Sequence, residues 1–153
     1  MTARTVLAPK VLTGNSAIVN MLNDGTNFTA TDATNGMSVA IPTTGFPAGG
    51  SIDRLILLVL NTNGTGRTVT VRAATPDGGL AKTGAGTSSP ASTYPGFEAG
   101  KGDLTTSAMT LTTGLGIIGP FEVARFLQPD GTLSIDFSGA TGFIAALLLP
   151  RSF

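Results

Sequence analysis

The sequence predicts an all-β chain, and three observations carry that expectation. No window of about eleven residues or more shows an apolar period near 3.6, so an amphipathic helix has no support. Several short segments instead alternate apolar and polar residues strictly, which is the period of a half-buried strand. Gly and Pro, 21 and 9 of the 153 residues, recur at short intervals and would interrupt any longer element. About eight to ten short strands follow from Thr5 onward, a number suited to a two-layer antiparallel β-sandwich, jelly-roll-like, in a single domain over residues 1–153. A chain of this length buries roughly 70% of its unfolded surface, enough for a core without staples.

The elements follow in order. Residues 1–14 form either an N-terminal arm or an edge strand carrying Pro9, with Arg4, Val6, Leu7 and Pro9 as candidate interaction residues. Met37-Ser38-Val39-Ala40-Ile41 alternates briefly, and Thr68-Val69-Thr70-Val71-Arg72-Ala73 does so with Val69, Val71 and Ala73 inward. Thr132 to Ser138 is the clearest case: Leu133, Ile135 and Phe137 share one face, while Thr132, Ser134, Asp136 and Ser138 share a wet one. Leu55–Leu60 and Phe143–Leu149 are apolar on both faces. Their second face is expected to meet a long loop or another subunit, or else to lie under loops as central strands do. Turn chemistry places hairpins at Asn61–Gly66 and Gln128–Gly131 and a third short loop at Ser138–Gly142, which makes residues 121–149 a three-stranded meander. Residues 76–104 have no period of either kind and read as a long Gly/Pro/Ser-rich loop. Such a loop is either a plain insertion or an interaction loop ordered against something else, with Tyr94 and Phe97 as its anchors.

Composition narrows the function classes. Nine Lys plus Arg balance nine Asp plus Glu, so nothing draws the chain toward nucleic acid or an anionic membrane. Cys, His and Trp are all missing, which removes disulfides, thiolate nucleophiles, the usual zinc ligands and every imidazole-based triad. Charged residues make up 12% of the chain, against about 25% in an ordinary domain, while 41% is hydrophobic. A polypeptide this poor in charge tends to associate, and its Thr, Ser, Asn and Gly suit a wet interface. No segment approaches the roughly 18 apolar residues of a membrane-spanning helix, and the N-terminus lacks the apolar stretch of a signal peptide. Synthesis in the cytoplasm without export is the expectation.

Each motif test for chemistry fails. Gly96 to Gly102 is one residue short of a phosphate loop and ends on Gly where a magnesium-binding hydroxyl belongs; Gly84-Ala85-Gly86 lacks the rest of a dinucleotide fingerprint. No nucleophile elbow and no Ser-x-x-Lys pair occurs. Asn23–Asn27 and Asp32–Gly36 gather oxygen ligands, but without the calcium-loop spacing, and tight turns demand the same residues. Glu122 and Asp136 as a glycosidase pair would lack a sugar-stacking platform, since the chain has one Tyr and no Trp. The sequons at Asn27 and Asn63 read as chance. The expectation is therefore a protein that is not an enzyme, with no catalytic, cofactor-binding or metal-ligating residues and no cofactor.

The C-terminal third runs Ile118-Gly119-Pro120-Phe121-Glu122-Val123-Ala124-Arg125-Phe126, then Gln128-Pro129-Asp130-Gly131-Thr132-Leu133-Ser134-Ile135-Asp136-Phe137, and closes on Ala145-Ala146-Leu147-Leu148-Leu149-Pro150. With the N-terminal Leu7-Ala8-Pro9 and Thr13-Gly14, this pattern resembles the capsid decoration, or cement, proteins of tailed bacteriophages, over about two-thirds of the chain. The resemblance implies a β-sandwich that coats the outer capsid surface of the virion, binds the major capsid protein and braces neighbouring capsomers. It implies a homo-oligomer, a trimer favoured, whose many modest contacts are multiplied by symmetry. Residues 76–104 have no counterpart in the pattern. A phage head-fibre or tail adhesin that binds host glycans through that loop is the alternative.

Overall fold

The computed structural model describes residues 3–12, 28–41, 52–62, 65–73, 102–109, 115–128, 130–139 and 142–150. The expected anchors Tyr94 and Phe97, residues 76–101 of the predicted loop, and the Asn23–Asn27 turn lie outside the described residues. About half of the described residues lie in strands, and the helical content is one short turn of each kind. The strands are β1 Thr5–Leu7, β2 Lys10–Val11, β3 Thr29–Ala30, β4 Met37–Ala40, β5 Leu55–Asn61, β6 Val69–Val71, β7 Leu104–Thr105, β8 Leu115–Ile118, β9 Thr132–Phe137 and β10 Gly142–Leu148. A 3-10 turn, Ile52–Arg54, leads into β5, and the single helical turn α1 spans Val123–Phe126.

These strands form two sheets. The first has the order β1-β4-β9-β6-β7; the second has the order β2-β10-β5-β8, with β3 pairing the other end of β10. Both are mixed, which corrects the purely antiparallel expectation. The N-terminal segment is the cause: β1 lies parallel to β4 with Thr5 beside Met37, and after Ala8 and Pro9 β2 lies parallel to β10 with Lys10 beside Leu147. One short stretch of chain thus supplies an outermost strand to each sheet.

Alternation places the core. Met37 and Val39, Val69 and Val71, and Leu133 and Ile135 come from the first sheet; Leu55, Leu57 and Val59 with Ile144, Ala146 and Leu148 come from the second. All are buried in one shared cluster, which Ile52, Phe121 and Phe126 complete. Ala73 is half-buried, and Phe137 and Ile41 pack partly against the cluster. Asp32–Gly36 is a turn, as its residue types predict: the Asp32 carboxylate accepts from the backbone N–H groups of Thr34 and Asn35, both at 3.0 Å.

Three expected connections differ. Asn61–Gly66 is not a hairpin, because β5 belongs to the second sheet and β6 to the first. The buried Asn61 amide donates to the Thr65 carbonyl at 3.1 Å and to that of Met109 at 2.6 Å, carrying the chain across rather than back. Ser138–Gly142 likewise crosses between sheets, so residues 121–149 are not a meander. The Phe121 segment coils instead of extending. Phe121 and Phe126 are five positions apart and would fall on opposite faces of a strand, whereas the helical turn brings both rings inward, edge to face at 5.8 Å. The predicted loop also ends earlier than expected, since Leu104–Thr105 pairs with β6.

The outward face of the second sheet is apolar, as the sequence of β5 and β10 requires. Leu60 sits between Phe143 and Leu115, Leu58 between Ala145 and Ile117, and Ile56 beside Leu147. Ala145 and Leu58 are buried yet lie outside the shared core cluster, so this face has packing of its own.

Candidate functional site

The outward face of the first sheet carries four charges, whereas among the described residues the strand pairings of the second place only Lys10 on its outward face. The four form a continuous line across the first. Arg4, just before β1, donates through Nη1 to the Asp136 carboxylate of β9 at 2.6 Å and to the Ile135 carbonyl at 2.9 Å. Arg72, just after β6, donates through Nε to the other oxygen of Asp136 at 2.5 Å and through Nη1 to Asp103 at 2.7 Å. Asp103, just before β7, also accepts from the Ala73 N–H at 2.8 Å. The ladder therefore runs from one edge strand of this sheet to the other, and its four side chains are all about four-fifths shielded from water. Arg125 extends it to α1 by donating to the Gly102 and Asp103 carbonyls, its guanidinium stacked 4.7 Å from the Phe126 ring.

The local sequence permits this close approach at one backbone position. Gly36 has φ +71°, and a Cβ there would collide with Arg4 Nη1 and lie 2.5 Å from the Asp136 carboxylate. The turn before it is tied to β1, since the Thr5 hydroxyl donates to Asp32 at 2.7 Å and the Thr5 N–H donates to the Gly36 carbonyl. The N–H of Asn35, then the Thr5 hydroxyl and the Asn35 amide, lower the Asp32 carboxyl to about 2. Burial alone would raise the Asp136 carboxyl, but hydrogen bonds and charge from Arg4 and Arg72 outweigh it and hold it below the ordinary value.

Beside the ladder lies an open groove of about 390 Å³ lined by Arg4, Asn35, Thr68, Thr70, Arg72 and Ser138 among others. Its two arginines and its one aspartate are paired within the protein, Arg72 also to Asp103 outside the groove, and it offers hydroxyl, amide and guanidinium hydrogen bonds.

Of the sequence-derived candidates, Arg4 lies in the ladder and the groove wall. Val6 points outward and is 65% exposed, Leu7 is buried in the core as the anchor of β1, and Pro9 is half-buried in the step between β1 and β2. Arg72, Asp103 and Asp136 were not singled out as a unit by sequence reasoning. Their signal is the rarity of charge: opposite charges on the outward faces of two predicted strands, in a chain with so few, are candidates for pairing across a sheet. Among the described residues no three His, Cys, Asp or Glu gather as a metal would require. Glu122 is exposed at the start of α1, and both oxygens of Asp136 are taken by arginines. No protein-family model, curated protein or solved structure matches the chain.

Proposed function

We propose that this is a structural protein that works through rigid shape and surface fit, and that it is not an enzyme. In this reading the two sheets stack as a jelly-roll-like sandwich, supported by the shared core and by the crossings from one sheet to the other at residues 61–66 and 138–142. More particularly, it is a capsid decoration protein of a tailed bacteriophage. Made in the host cytoplasm, it sits on the outer capsid surface as a homotrimer, binds the major capsid protein and braces neighbouring capsomers.

The observation that carries this reading is the placement of residues 4–11. They lie along an edge of both sheets at once, pinned by Arg4 and Leu7, and leave Val6 and Val11 exposed. A capsid strand or loop seated on that edge gains main-chain hydrogen bonds and apolar contact together, and load passes straight into both sheets. Wild-type protein is expected to co-sediment with undecorated shells, and Val6→Asp to weaken that binding at least tenfold while remaining folded. Wild-type protein left wholly in the supernatant overturns the reading. The groove favours a second one, a head-fibre or tail adhesin that takes an uncharged host glycan through the Thr68, Thr70 and Ser138 hydroxyls; glycan-array binding without shell binding would select it.

A further inference from the structure

Residues 4–11 complete both sheets, yet no tight turn ties them to their seat. β1 lies parallel to β4 and β2 parallel to β10, so neither pair is a hairpin and the local backbone does not dictate which chain supplies these two strands. Their covalent link to the rest of the fold is residues 12–28, between β2 and β3. Val11 lies beside Leu148 and Thr29 beside Ile144 on the same edge of β10, so the ends of that link are four positions apart, roughly 13 Å at about 3.3 Å per residue. A link of that many residues can span up to roughly 55 Å, whereas a domain of this length has a radius of gyration of about 15 Å. It is long enough to lay β1 and β2 on the corresponding edges of an adjacent copy.

The seat itself is specific. It buries Leu7 beside Val39, and it holds Arg4 on Asp136 at 2.6 Å and the Thr5 hydroxyl on Asp32 at 2.7 Å. Left empty, it would open the core at Leu7 and take one of two arginines from Asp136, so an edge without this segment must be filled by its equal. We infer that residues 4–11 are exchanged between copies: each chain lays its β1 and β2 on the β4 and β10 of the next and receives those of the chain before it. Fit identifies the occupant, because a second copy carries the segment that matches both edges residue for residue. Every contact of the segment is kept on exchange, and nine positive with nine negative residues leave no net charge to hold copies apart. The donated strands and the edges that accept them are different surfaces, so the contact runs head to tail and closes as a ring, three copies included. This inference rests on the oligomeric reading above and supplies its contact; the edge offered to the capsid protein is the same whichever copy provides it.

Cross-linking tests it without background, since the chain has no Cys. Val6 of β1 pairs with Ser38 of β4. Full chains carrying Val6→Cys and full chains carrying Ser38→Cys are refolded together and treated with a short bismaleimide, which does not require disulfide geometry. Exchange is expected to link the two chains in the mixture and in neither variant alone. The doubly substituted chain should likewise give products at multiples of 15.4 kDa rather than a single loop-closed monomer. Lys10→Cys with Leu147→Cys, on β2 and β10, repeats the test in the other sheet should the first pair fail to fold. Linkage confined to single chains, or a mixture no more linked than the separate variants, overturns the exchange. Light scattering and shell sedimentation separate the proposals. A wild-type oligomer linked only within chains removes the exchange and leaves the oligomeric reading, whereas a wild-type monomer removes both. Copies linked to one another that never co-sediment with shells keep the exchange and remove the decoration role.

Discussion

Asp136 is the residue on which the first sheet's outward face depends. It receives a guanidinium on each oxygen, from side chains that reach it from opposite sides of β9. Asp136→Asn keeps the shape but leaves two largely shielded arginines short of a charge, and it is expected to destabilise the fold by about 2–3 kcal/mol in urea denaturation. A change below about 0.5 kcal/mol would show that solvent already satisfies those groups. The same carboxylates set an acid limit. Both Asp136 and Asp32 have folded values below their unfolded ones, so the stability they contribute is present above about pH 4 and is lost as pH falls through the folded value of each, about 2 for Asp32. Asp32→Asn should therefore lower stability at pH 7 and flatten its decline between pH 4 and 2; a decline as steep as the wild type's would remove Asp32 from the account.

At the scale of the element, β9 tests whether alternation was read correctly. Leu133 is fully buried and faces the shared core, so Leu133→Ala is expected to cost about 2–5 kcal/mol. Ser134, on the other face, should cost little as Ala. It is nevertheless buried rather than wet, because β9 lies in the middle of its sheet with Arg72 on one neighbour opposite Ser134 and Ser38 on the other. Equal losses for the two variants would mean that the faces are reversed. Which residues point inward was legible from the sequence, because a period of two is a local property. Which strands are neighbours was not. Residues 61–66 have the composition of a hairpin turn, yet they cross between sheets because a buried Asn61 amide finds two carbonyls on the way. The coil at α1 was equally hidden, since it follows from two phenyl rings needing the same core. Of the candidate site, Arg4 and Val6 were legible as N-terminal residues, whereas the ladder required knowing that β6 and β9 are adjacent.

At the scale of the whole molecule, the two sheets share one core and one N-terminal segment, so neither is independent. A chain starting at Leu12 loses the buried Leu7 and the Arg4 contacts to Asp136 and the Ile135 carbonyl. At about 2 kcal/mol for each loss, and about 2–4 °C per kcal/mol in a domain of this size, the melting temperature should fall by roughly 10 °C. A fall under about 2 °C, read by differential scanning calorimetry, would show that residues before Leu12 are mere trim.

The parallel course of β1 and β2 has a mechanical corollary. Pulled backward along its own axis, this segment does not unzip one bond at a time. The rungs joining β1 to β4 and β2 to β10 are strained lengthwise and in concert, and the Arg4 guanidinium acts as a bolt at the outer end. Tension applied at the N-terminus is consequently borne in shear by the strands of both sheets, the geometry in which hydrogen-bonded strands yield last.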